Sequence, residues 1–111
     1  MKNKISGIYQ ITNRLTNQFY IGSSPNVIKS QSSNFLKLRN DSHPNSNLQR
    51  SFNKYGEEHF SFDVVARVPV SNLFKVEKIF LDDLKPQYNT IQFAHAETRG
   101  VGKYGKNTDN I

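Results

Sequence analysis

Cysteine and tryptophan are absent from this 111-residue chain, and methionine occurs once. Without cysteine there is neither a disulfide framework nor a thiolate zinc site, which excludes small stapled secreted domains and zinc fingers. Long apolar runs are missing as well. Ile79-Phe80-Leu81 and Val64-Val65-Ala66 are three residues each, against the roughly 20 that a membrane-spanning helix needs. No charged-then-apolar N-terminus of signal type opens the chain, so no membrane role is expected. Acidic residues are scarce: nine Asp+Glu stand against 15 Lys+Arg, a net charge of +6. The imbalance is one-sided. Residues 1–56 contain eight basic side chains and a single acid, Asp41. Such a basic half is the electrostatic footprint of a polyanion binder, most often of nucleic acid, although plain solubility explains many small basic proteins. With 35% hydrophobic residues, the chain can fill one modest core.

What is present reads as a short alternation of strands and helices. Gly7–Thr12 and Gln18–Gly22 are rich in β-formers, and Asn13–Asn17 between them is a turn with Asn at both ends. Pairing Thr12 with Asn17 would set Tyr9 directly opposite Tyr20 on one face. Ser24-Pro25 offers an N-cap and a first-turn proline for a helix carrying Val27, Ile28, Phe35, Leu36 and Leu38 around a polar middle, Ser30–Asn34. A second helix follows Pro44, with Leu48, Phe52 and Tyr55 in helical period and Gly56 as its left-handed cap. Phe60–Val65 alternates as a third strand, and a third helix from Ser71 carries the stripe Leu73, Val76, Phe80 and Leu84. The order β-β-α-α-β-α predicts an α/β (α+β) sandwich, a small three-stranded antiparallel sheet flanked by helices. Residues 1–91 form this domain. Residues 92–111, with three glycines and no apolar periodicity, form a tail expected to order only against a partner.

Gly7-Ile8-Tyr9 and Tyr20-Ile21-Gly22, with eleven positions from one tyrosine to the other, resemble the two signature triplets of the GIY-YIG nucleases. Gly22-Ser23-Ser24, the Leu48–Gly56 block, Phe60-Ser61-Phe62, Glu77 and Lys85–Asn89 follow in that family's order. The likeness is greatest to the nuclease domains of phage and mitochondrial intron-encoded homing endonucleases. It implies metal-dependent phosphodiester cleavage. Tyr9 would activate the attacking water and Tyr20 would support the same site. Glu77 would hold the metal, Mg²⁺ or Mn²⁺, while Asn89 and His43 would complete the surroundings. Each residue also has a plainer reading: the tyrosines as a cross-strand pair, Glu77 as a stripe-edge carboxylate reaching water, His43 as a loop histidine.

The chain departs from the pattern at two positions on its first long helix. Where the family carries an arginine and then a histidine or tyrosine, this sequence has Ser30 and Asn34. Arginine stabilisation of phosphoryl transfer is worth roughly 10³–10⁵ in rate, and a positioned acid–base group about 10²–10⁴. The expectation is therefore a catalytically impaired domain that binds nucleic acid through Lys29, Lys37, Arg39, Arg50 and Lys54 and needs no cofactor. RNA is the favoured partner and DNA the alternative. The setting expected first is an RNA-rich ribonucleoprotein with other proteins, such as a mitochondrial ribosome. Residues with A/T-rich codons (Phe, Tyr, Met, Ile, Asn, Lys) far outnumber Gly, Ala, Arg and Pro, as in an organelle or a phage. The alternatives are an active metal-dependent homing endonuclease acting on DNA in a phage-infected bacterial cytoplasm, and a protein-interaction domain without nucleic-acid contact.

Overall fold

A computed structural model describes residues 4–89; the expected tail, 92–111, lies outside the described residues. The elements are β1 (Gly7–Asn13), β2 (Phe19–Ser24), α1 (Val27–Arg39), α2 (Ser46–Tyr55), β3 (Phe60–Arg67) and α3 (Leu73–Leu84), with short 3₁₀ turns at Glu57–His59 and Val70–Asn72. The expected order β-β-α-α-β-α holds. The sheet runs β2-β1-β3, antiparallel throughout, so the first strand is the central one.

Strand alternation sends side chains to two faces, and both are covered. On one face Tyr9, Ile11 and Phe60 pack against Val27, Phe35 and Leu38 of α1 and Leu48 and Phe52 of α2. On the other, Ile8 and Ile21 pack with Val68 and with Leu73, Val76, Phe80 and Leu81 of α3. Leu84 was expected to close the α3 stripe, yet it is half exposed. The helix ends at Lys85 in the left-handed conformation (φ 46°), and Leu81, one turn earlier, takes the core position.

The hairpin register differs from expectation by two residues. Tyr9 faces Gly22, and Ile11 faces Tyr20. The cause is the turn: Asn17 adopts φ 64° inside the loop, its N–H donates to the Asn13 carbonyl at 2.7 Å, and the Asn13 N–H donates to the Gln18 carbonyl at 2.9 Å. Asn17 therefore closes the loop instead of starting a strand. A shift of two preserves facing, so the tyrosines still share a face, now as a diagonal pair with ring centroids 6.4 Å apart. The helix cap differs too. Asn26, not Ser24, caps α1, its side chain accepting from the Lys29 N–H, while Ser24 is the last residue of β2. The polar middle of α1 is helical nonetheless, because Val27 before it and Phe35 and Leu38 after it are buried.

The segment after α3 returns to the edge of β2. The Gln87 side chain accepts from the Phe19 N–H at 3.2 Å. Asn89 both accepts from the Ile21 N–H (2.9 Å) and donates to the Ile21 carbonyl (3.0 Å). Its amide thus copies a strand residue, and Tyr88 beside it is buried with its hydroxyl 2.6 Å from Ser51 Oγ.

A tyrosine-centred candidate active site

Gly22 makes the site possible. It lies opposite Tyr9, and a Cβ there would collide with the end of the Tyr9 ring. The ring therefore lies over the edge strand, stacked on Phe62 with centroids 4.9 Å apart. Its hydroxyl ends among polar groups from α1 and β2. Asn34 Nδ2 donates to Tyr9 Oη at 3.2 Å, and Tyr20 adds a second hydrogen bond.

A chain of hydrogen bonds with a fixed direction leads to that hydroxyl. The Asn45 backbone N–H can only donate, and it meets His43 Nδ1 at 3.0 Å. Neutral His43 must then carry its proton on Nε2, which lies 2.7 Å from Asn34 Oδ1. That contact sets the Asn34 amide with its oxygen toward His43 and its nitrogen free to donate twice, to the Ser30 carbonyl (2.8 Å) and to Tyr9 Oη. His43 is buried, packed edge-on against Tyr20 (centroids 5.8 Å apart), and its pKa is lowered to about 4 by burial and the charge of Lys37. At neutral pH it is an uncharged donor. The plainer reading of His43 as an exposed loop residue does not hold.

Burial raises the Tyr9 pKa. Asn34 and Tyr20, which donate to its oxygen, act the other way, and the carboxylate of Glu77 adds to the rise. Glu77 is the charged side chain felt at this hydroxyl. It sits half-buried on α3 and accepts from Ser23 Oγ at 2.6 Å, so its carboxylate is anchored on the sheet and does not extend freely to solvent. Ser30 spends its hydroxyl on Ser24 Oγ (2.7 Å), and Asn34 is the bridge just described; neither brings positive charge to Tyr9.

The structure thus gathers Tyr9, Tyr20 and His43 with Asn34, and holds Glu77 near enough for its charge to count. Asn89 stays outside this group. It acts on the backbone of Ile21, the residue after Tyr20. Among the described residues no three His, Cys, Asp or Glu side chains cluster to cage a metal ion. One anchored carboxylate fits Mg²⁺ in the way that ion is often held, by one or two carboxylates with the remainder supplied by substrate phosphate and water. The five basic residues expected at a nucleic-acid surface are exposed on the α1 and α2 layer. They are not equally free: Arg39 is tied to Glu57 through two hydrogen bonds, Arg50 donates to Asn47 Oδ1, and Lys54 lies over the Tyr55 ring. Sequence reasoning missed Ser23 and Asn45. The Gly-Ser-Ser run and an Asn at a helix start were the only signals.

Comparison with known proteins follows the same lines. No family model matches the chain. It is 33% identical over 93 residues to intron-associated endonuclease 1 of enterobacteria phage T4, a match that takes in 82% of this chain and 38% of that protein. The chain therefore spans well under half the length of its curated relative. The catalytic domain of the homing endonuclease I-TevI has a similar structure, with a TM-score of 0.68 and 34% identity over 72% of this chain and 88% of that one. A glutamate-to-alanine variant of the same catalytic domain gives 0.69 and 32%, over 73% and 84%.

Proposed function

The chain belongs to the GIY-YIG nuclease family, and on that premise we propose that it is a metal-dependent endonuclease domain of the homing type, acting on DNA phosphodiester bonds and slowed by the missing cation beside Tyr9. The observation that carries this reading is the Tyr9 hydroxyl, held at a defined place by a directed chain of hydrogen bonds from Asn34 and His43. A cross-strand packing pair would not need such a chain.

Two donors on Tyr9 Oη favour the phenolate, the form able to take a proton from water, while burial and Glu77 favour the phenol. At neutral pH the phenol wins. Glu77, with Ser23 steadying it, would hold the divalent ion together with the substrate phosphate; bound there, the ion supplies the positive charge that the phosphate needs and offsets the carboxylate's effect on Tyr9. Ser30 and Asn34 bring no cation of their own to this place. The expected rate is therefore low.

Ser30 also favours a second reading, that of a domain that binds without cutting, since losing an arginine of this kind costs roughly 10³–10⁵ in rate. Plasmid cleavage in Mg²⁺ or Mn²⁺ separates the two. Slow nicking that disappears in Tyr9→Phe and quickens in Ser30→Arg supports the nuclease. Binding with no cleavage above the Tyr9→Phe background establishes the binder. The same assay on RNA decides the partner. The phage origin of the relative supports a phage or bacterial setting over a mitochondrial ribosome, and DNA over RNA.

A further inference from the structure

A cavity of about 290 Å³ opens at the far end of the sheet, where the segment before β1 crosses the segment after β3; its lining is Lys4, Ile5, Ser6, Arg67, Val68 and Pro69. The crossing is pinned by the Val68 N–H donating to the Ser6 carbonyl at 2.9 Å. The lining holds two cations and no carboxylate. Arg14, Arg39 and Arg50 each donate to an acceptor; Arg67 is the one arginine among the described residues whose guanidinium does not, and Lys4 likewise forms no ion pair among them. Ser6 contributes a hydroxyl that is enclosed and without a hydrogen-bond partner. Ile5, Val68 and Pro69 give the cavity its apolar walls, and the two charges stand at its open rim.

Its position relates it to Tyr9. Gly7 faces Arg67 on one side and Ser24 on the other, and Ser24 bonds Ser30, the residue in place of the expected arginine. Arg67 and Ser24 thus stand one strand to either side of Gly7, about 10 Å apart at the usual strand spacing. Ile5, in the cavity wall, also accepts the N–H of Val27, the first residue of α1. A strand lying along the start of α1 toward Tyr9 would pass this cavity.

We propose that the Lys4–Arg67 cavity is a phosphate-binding subsite for the nucleic-acid backbone flanking the cleavage position. Arg67 would supply the forked donor that suits a phosphate and Lys4 a second charge, so that part of the anchoring lost at Ser30 is recovered one sheet-width away. This subsite rests on the nucleic-acid reading above.

The test is the binding of the full chain to a fluorescent DNA duplex across a NaCl series, with Lys4→Gln/Arg67→Gln as the variant and Lys4→Gln and Arg67→Gln singly beside it. Both side chains are exposed, so the fold is expected to persist, and circular dichroism checks it. One neutralised phosphate contributes about 0.9 to the slope of log K against log salt. The double variant should lose about one unit of slope and bind at least tenfold more weakly at low salt. Arg67→Gln should account for most of that change. An unchanged slope and affinity in the double variant, with wild-type binding intact, overturns the subsite and leaves the nucleic-acid reading standing. If the wild-type chain itself does not bind DNA or RNA, both fall.

Discussion

His43 shows how much one buried side chain determines. Its imidazole titrates near pH 4 in the folded protein and near 6.5 when unfolded. As pH falls through that interval the unfolded chain takes up the proton first, so stability is full above about pH 6.5 and drains away toward pH 4. The loss is of the order of 3 kcal/mol. Urea denaturation at pH 7 and pH 4 should show it, and His43→Gln should remove most of the difference. Below pH 4 the proton on Nδ1 confronts the Asn45 N–H, so the chain to Asn34 and Tyr9 comes apart at the same time. None of this was legible from the residues alone. The loop holding His43 was visible, but the bridge to Asn34 joins residues nine apart across a helix end, and Asn34 could be read only as a missing acid–base group. The structure gives it a contribution of its own, a donor aimed at Tyr9.

At the scale of elements, the sheet depends on a latch from outside it. Asn89 supplies two hydrogen bonds to Ile21 on the outer edge of β2, so Asn89→Ala should cost about 1–2 kcal/mol. Amide exchange at Ile21 should accelerate more than at β1 residues; equal protection would mean that the latch contributes nothing. All three strands and all three helices were legible because their periodicities are plain: two-residue alternation in Gly7–Thr12 and Phe60–Val65, helical spacing in Leu48, Phe52 and Tyr55. The register was not. It turned on Asn17 entering the left-handed region (φ 64°), a choice open to either Asn of the turn. The stop of α3 likewise moved the core from Leu84 to Leu81, since a left-handed Lys85 leaves the last residue without a covering neighbour.

For the whole molecule, the uneven charge should govern docking. Reversing Arg50 and Lys54 on α2 should weaken nucleic-acid binding several-fold more than reversing Lys78 and Lys85, because Arg50 and Lys54 belong to the basic first half of the chain, while Lys78 is paired with Asp82 and Lys85 lies on the acidic end of α3. A salt titration of both double variants checks this, and identical curves would remove any bearing of the asymmetry on docking. The placement of β1 has a further effect, on timing. Made before its partners, it must wait for residues 60–67 before its second neighbour exists, and for Asn89 before the edge of the sheet is fastened. Pairings this distant in sequence are slow to form. A chain still short of Asn89 thus carries Tyr20 on an unlatched strand, and the surroundings of Tyr9 tighten only once residues 60–89 have been made.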